Sequence, residues 1–500
     1  MPNPLRSLPT VNELLAAPQL KLWVERASHT TVVAIARRVL DEVRSQWRSA
    51  SAEVEFPSPT ELIDRIATWV GREERERLIP VINATGLLLS DSLGRAPLAE
   101  DALAAAARVG QRYCSLEIDL DSGESMDRQD SVERLLRDLT QAAGARVVNN
   151  QSAAMHLAVA SLARDGEVLI SRGDLYDFGE DYRLATTLQE AGCRLREVGS
   201  VNHTSLDDFR LALTPETRLI LRVDRGAGPA GGVSMTELVK LGRAHDIPVM
   251  ASVALASLIE PAVLGIDAKG TLSDWIATGA DLILASADKL IGGPSAGLLL
   301  GKPTVLEKIA RHPLHRAVRV DRLTLASLAA TLRLYRDASL AMHRLPLLAL
   351  LDTPLSNLKL RAEHLASRLR ATGVFAEVET SQGQAHLGIW SPDDVAVDSW
   401  QVLLKPAQET AAQMRKRLRK STPVVLSRVV EDRVVIDLRS CAPGEDGAIA
   451  ELVENWARGS DEEAPTPPPV AITSPTLDPV LRRRQEDAAD AAPAPPQGNH

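Results

Sequence analysis

The sequence predicts an α/β protein with a mostly parallel central sheet, preceded by a small helical domain and followed by a small α+β domain. Three observations carry that expectation. Short β-rich runs alternate with amphipathic stretches from about position 80 onward, the first eighty residues show helical periodicity, and the composition is globular, with 45% hydrophobic and 25% charged residues. A chain of 500 residues exceeds one compact core and predicts two or three domains.

Along the chain, "TVNELLAAPQLKLWVER" opens on a threonine cap signal, and "TTVVAIARRVLDEVRSQW" spaces its apolar residues three and four apart. "SASAEVEFPSP" reads as a connector before the helix "TELIDRIATWVGREERER". The runs "ARVVNN", "GEVLIS", "CRLREVG", "TRLILRV", "IPVMAS" and "DLILAS" then recur about every 20 to 35 residues, the pattern of repeated βαβ units. A long helical passage, "HRAVRVDRLTLASLAATLRLYRDAS", leads to an α+β region whose last strands are "PVVLSRVVED" and "RVVIDLRS". The Pro/Ala-rich remainder is too poor in apolar bulk to fold, and its "LRRR" reads as a solvated charge run. The expected division is 1–75 helical, 76–335 large α/β, 336–458 α+β and 459–500 disordered.

Charge and cysteine content exclude several classes. Cys114, Cys193 and Cys441 are too widely spaced for a disulfide framework or a zinc cluster, and the ten histidines contain no H-E-x-x-H pair, so no metal is expected. The net charge of −9 argues against a protein that coats nucleic acid throughout, although positions 1 to 50 carry seven Lys/Arg against four acids. From Gly459 the balance reverses, with three arginines against seven acids. Without a run of about 18 apolar residues or a secretion-signal pattern at "MPNPLRSLPTVNELL", neither a membrane span nor export is expected, and the protein reads as cytoplasmic.

The chemistry-bearing residue is Lys289, in "LILASADKLIGGPSAGLLLG". An ammonium ending a buried apolar strand costs several kcal/mol unless it is paired or neutral. The order strand, Ser286-x-Asp288-Lys289, glycine turn, returning strand looks like the cofactor lysine of fold-type-I pyridoxal-phosphate enzymes, where burial frees a neutral amine for Schiff-base formation. A phosphate cradle is available in "VVNNQSAAMHLAVASLA", where a strand ends at Asn149-Asn150 and Gln151, Ser152 and Ala153 open a helix with free N–H groups.

A set of ordered segments extends this reading: "RSLPTVNELL", "HTTVVAIARRVLDEVR", "VINATG", "LGRAPL", "LEIDLDSG", "VVNN", "LISRGDL", "EVGSVNHT", "ADKLIGGPSAG", "HPLHRAVRVDRLTLASLAATLRLY" and "DLRS". From about position 6 to about position 442 the chain resembles bacterial selenocysteine synthase, the L-seryl-tRNA(Sec) selenium transferase family. The resemblance implies an aminotransferase-like, fold-type-I pyridoxal 5'-phosphate domain behind a helical tRNA-binding domain, assembled as a ring of dimers, a decamer. It implies conversion of seryl-tRNA(Sec) to selenocysteinyl-tRNA(Sec) with selenophosphate, through a cofactor-bound dehydroalanyl intermediate. Lys289 would then be the catalytic lysine and Arg95, Arg316 and Arg319 the anion site, suited to planar guanidinium forks. Asn150, Gln151, Ser152, Ala153, Ser252 and Ser286 would line the cofactor.

Several positions depart from the family pattern. Ser90, Asp91 and Ser92 stand where a histidine, a threonine and an asparagine are usual, and "GESMDRQD" keeps Arg128 from a richer arginine loop. "VDRGAGPAGG" has Asp224 in the place of a histidine. Ala251, Ser252, Val253 and Ala254 replace Thr-Asp-Leu-Gly, so a serine occupies the position of the aspartate that keeps the cofactor's ring nitrogen protonated. Two classes of function follow: the selenium transferase or a relative acting on another amino-acid substrate, and a paralogue that retains the fold to bind tRNA or a subunit without catalysis.

Overall fold

The computed structural model describes residues 8–49, 57–74, 78–175, 183–224, 232–268, 270–388 and 395–459. The expected connector around 50–56, most of "VDRGAGPAGG" and the Pro/Ala-rich tail lie outside the described residues. The chain divides into two compact units, Met1–Pro80 and Val81–His500.

The first unit contains the helices Val11–Leu15, Pro18–Arg26, His29–Ser49 and Pro59–Glu73. Thr10 and Ser58 each close a reciprocal cap with a glutamate three residues on, Glu13 and Glu61. The stretch expected to continue past Leu15 breaks before Pro18, because proline can open a helix but cannot donate within one. Leu14, Leu20, Val32, Leu40, Leu62, Ile66 and Val70 form its core. Each such side chain contributes roughly 1.5–3 kcal/mol on burial.

The second unit begins with the two-residue strand β1 (Ile82–Asn83) and is built on β2 (Gly144–Val148), β3 (Glu167–Ser171), β4 (Arg194–Val198), β5 (Thr217–Asp224), β6 (Val249–Val253), β7 (Leu282–Ser286) and β8 (Gly297–Gly301). These seven strands lie in the order β2-β8-β7-β6-β5-β3-β4, parallel except for β8, which runs against both β7 and β2. Helices cover both faces. One core layer joins the strands to Gln151–Leu162 and Pro303–Arg311, the other to Asp130–Thr140, Met235–Ala244 and Arg322–Leu334. Burial on both faces explains why β6, β7 and β8 have no exposed position.

A smaller antiparallel sheet follows, from β9 (Phe375–His386), β10 (Ala396–Pro406), β12 (Arg428–Val430) and β13 (Arg433–Asp437), in the order β12-β13-β10-β9, while β11 (Val425–Leu426) pairs with β1. The expected strand "PVVLSRVVED" is thus two short ones serving different sheets. The long hairpin β9–β10 has no counterpart in the sequence reading, because "FAEVETSQGQAH" alternates buried and exposed positions irregularly and shows no apolar run. The helical passage expected from 315 to 339 is interrupted between the helices Pro313–Ala317 and Arg322–Leu334. There Val318 O accepts from Asn149 N at 3.0 Å, and Asp321 caps the next helix.

Candidate active site

In a parallel sheet, ligands gather at the carboxyl ends of the strands. Here β2, β5, β6 and β7 end on one side, delivering Asn149-Asn150, Asp224, Ser252 with Val253, and Ser286 with Asp288-Lys289. Gly297, at the start of β8, pairs with Val148 on one flank and Ser286 on the other. A Cβ at Gly297 would stand 2.2 Å from Asn150 O, so glycine is what lets this strand pass against the helix start.

The helix Gln151–Leu162 begins at Asn150, whose Oδ1 accepts from Ala153 N at 2.8 Å, while Asn150 O takes Ala154 N at 3.0 Å. The N–H groups of Gln151 and Ser152 are left as the leading donors of the helix, the feature that suits a phosphate dianion.

Lys289 is 6% exposed, and its Nζ donates to Gln151 Oε1 at 3.3 Å. The other end of the Gln151 amide donates to Ser252 Oγ and Val253 O, both at 3.2 Å. One neutral amide therefore spans the gap between the lysine and the serine. Asp288 is engaged on both carboxylate oxygens, by Arg95 Nη1 at 2.7 Å and by a short bond from Ser286 Oγ. Arg95 also binds Asp91. Burial pushes the Lys289 amine down to about 8, with the Arg95 cation acting in the same direction and Asp288 and Asp91 opposing it. At that value a sizeable fraction of the amine is neutral at physiological pH.

Arg95 has a left-handed backbone, φ 63°, directly after Gly94 at φ 82°. A non-glycine residue in that region is strained, and strained residues cluster where a side chain must be aimed. The turn at Asp91–Leu93 imposes the conformation, with Arg95 N bonded to Ser90 O at 3.0 Å.

Thus Lys289, Gln151 and Ser252 form one chain of bonds, and Ser286, Asp288, Arg95 and Asp91 a second, the two meeting at the adjacent residues Asp288 and Lys289. Arg316 and Arg319 stand apart from them, both exposed. Their segment is nonetheless tied beside the cradle, since Arg319 pairs its backbone with Val148 and Val318 O holds Asn149 N. Arg128 is braced by Glu117 at 2.8 Å and by Val320 O at 3.3 Å. Asp224 is buried and pairs in register with Val253, the residue after Ser252, so its side chain belongs to the opposite face of the sheet from Ser252.

Two contributors escape the sequence reading. Asp91, seen there only as part of a lost motif, is an ion partner of Arg95. Tyr335, at the end of the helix Arg322–Leu334, donates its buried hydroxyl toward Leu290 O at 3.3 Å and Ile291 O at 3.0 Å, in the turn just past Lys289. No local sequence signal marks it, because its partners lie about 45 residues away.

The fold has a counterpart among solved structures. D-glucosaminate-6-phosphate ammonia-lyase superposes with a TM-score of 0.53 at 19% identity, covering 77% of this chain and 97% of that one. The sequence matches the family model described as L-seryl-tRNA selenium transferase over residues 81–442, and that of the selenocysteine synthase N terminal over residues 5–44. A curated L-seryl-tRNA(Sec) selenium transferase from Moorella thermoacetica is 38% identical, covering 92% of this chain and 98% of that protein. The one from Carboxydothermus hydrogenoformans is 35% identical over 91% and 98%. The chain belongs to the L-seryl-tRNA selenium transferase family.

Proposed function

We propose that this chain is a pyridoxal-phosphate-dependent enzyme that converts seryl-tRNA(Sec) to selenocysteinyl-tRNA(Sec) with selenophosphate. The observation that carries the reading is Lys289, a buried amine lowered to about 8 beside an open helix start. The residues present fit the cofactor: Lys289 would hold its aldehyde carbon, the Gln151 and Ser152 N–H groups its phosphate, and the Ser252 hydroxyl its ring nitrogen. When bound, pyridoxal phosphate withdraws electron density from the seryl α-carbon, so that the β-oxygen can leave as water and a selenium nucleophile can add.

The chain's own residues supply the remainder. Lys289 Nζ, half neutral near pH 8, can take a proton from the α-carbon and return it. Asp288 holds Arg95 at the same site, where its guanidinium would meet the selenophosphate anion, while Arg316 and Arg319 stand outside that set as exposed guanidinium groups. The first unit would take the tRNA. Assembly as a ring of dimers would give the exposed apolar side chains Leu103, Tyr113, Ile118, Leu120 and Leu323 a surface to pack against. Among the described residues no helix is long and apolar enough to cross a membrane, in keeping with work in the cytoplasm.

Ser252 favours the second reading, a paralogue that keeps the fold without the chemistry, because a hydroxyl cannot hold a ring proton as a carboxylate does. Adding pyridoxal phosphate to purified protein separates the two. The transferase should gain near-visible absorption, and borohydride should leave a pyridoxyl group on the Lys289 peptide, with both lost in Lys289→Ala. A protein that stays colourless and unlabelled leaves the non-catalytic reading standing.

A further inference from the structure

The helix Ala411–Leu418 ends in the run Arg415-Lys416-Arg417-Leu418-Arg419-Lys420, five cations in six residues. From Thr410 to Arg428 the sequence contains six Arg/Lys and no Asp or Glu, in a chain whose net charge is −9. Arg417 is engaged, 3.6 Å from Glu409 and with its guanidinium 4.2 Å from the centre of the Trp456 ring. Arg415, Lys416, Arg419 and Lys420 are exposed and form no ion pair among the described residues.

Helix stability does not account for such a ridge. One or two cations in the last turn satisfy the helix dipole. Beyond that, Arg415 and Arg419 stand one turn apart, as do Lys416 and Lys420, and like charges at that spacing repel. By contrast, the first unit is balanced over its full length, with eleven Lys/Arg and eleven Asp/Glu in residues 1–80. Among the described residues this run of unpaired positive charge lies in the region of the small sheet. Its chemistry distinguishes between polyanions. A membrane-surface helix needs an exposed apolar face to insert, but Ala411, Met414 and Leu418 are buried, and the helix packs on β10, β12 and β13. What remains exposed is a row of cations, which suits a phosphate backbone.

We propose that Arg415, Lys416, Arg419 and Lys420 form a second RNA-binding surface that holds backbone phosphates of the tRNA. This rests on the tRNA reading given above. The test is tRNA(Sec) binding by the full chain across a salt series, comparing wild type with the quadruple variant Arg415→Gln, Lys416→Gln, Arg419→Gln, Lys420→Gln. A second quadruple variant, Arg108→Gln, Arg134→Gln, Arg137→Gln, Lys240→Gln, removes the same charge from other exposed positions. Circular dichroism verifies folding of each. Each phosphate contact contributes about 0.7–0.9 to the slope of log affinity against log salt, so the ridge variant should show a slope shallower by about 3 while the control keeps the wild-type slope. Equal slopes in the two variants overturn the proposal and leave the tRNA reading intact. A wild-type chain that does not bind tRNA sinks that reading, and the proposal with it. A ridge variant that keeps its tRNA slope but loses binding to phosphatidylserine/phosphatidylcholine vesicles makes the ridge a membrane contact and overturns the RNA proposal.

Discussion

Two buried cations in the second unit have opposite surroundings. Arg439, 4% exposed, donates to Asp398 O at 2.9 and 2.7 Å, to Leu350 O at 3.0 Å, to Leu351 O at 3.2 Å and to Thr353 O at 2.6 Å. It closes the end of the helix Pro346–Asp352 and ties it to β10. Lys289 is as deeply buried, yet its Nζ donates to a neutral amide at 3.3 Å with the Arg95 cation nearby. Burial lowers both groups, but a guanidinium surrounded by carbonyls stays charged and braces the fold, whereas the buried amine, with Arg95 acting in the same direction against Asp288 and Asp91, is brought to about 8. The largest effect should follow from the first. Arg439→Met strands carbonyls from two segments and should cost about 3–5 kcal/mol, read from the denaturant midpoint. A loss under about 1 kcal/mol would mean that the contrast has no energetic content.

Lys289 should respond in the opposite sense. Its folded value near 8 lies below the ordinary 10.5, so the unfavourable contribution is fully present below pH 8 and fades as pH rises toward 10.5. A depression of that size corresponds to about 3 kcal/mol. Lys289→Met should therefore be more stable than wild type at pH 7, and the gain should shrink in melts between pH 8 and 10. A gain that is constant across that range would mean that the amine is not depressed. The sign is the useful part: a residue whose removal stabilises the fold is held for its chemistry.

What could be read in the sequence follows the same physics. Strands buried on both faces appear as continuous apolar runs, so β6, β7 and the return strand β8 were visible, and Lys289 stood out as an ammonium against them. The hairpin β9–β10 was not visible, since it is half exposed. At the site, the helix start is legible because Asn150 to Ala153 are contiguous, but the capping bond that takes the Ala153 N–H, expected to be free, is not. The bridge that Gln151 makes to Ser252 joins residues 101 apart, and its bond to Lys289 spans 138. In the sequence Asp91 stands only as a departure from the family pattern, because its role beside Arg95 depends on the left-handed turn that brings them together. Side-chain pairings set by tertiary approach leave no periodic trace.

Tyr335 offers the smallest and sharpest test. Its hydroxyl reaches Leu290 O and Ile291 O, and the same turn is closed by Gly292 N to Lys289 O at 2.9 Å and Gly293 N to Ala287 O at 2.8 Å. The amine brought to about 8 is thus carried on a firmly held backbone, an arrangement that combines proton exchange with a fixed position. Tyr335→Phe keeps the ring and removes the donor, leaving buried carbonyls unpaired at a cost of about 1–2 kcal/mol. That loss should be local. Hydrogen exchange at Gly292 and Gly293 should accelerate well before exchange in β7 changes, because the strand remains paired on both sides. If exchange quickens equally throughout β7, or nowhere, then Tyr335 is ordinary core packing and the lysine turn is held by its own backbone alone.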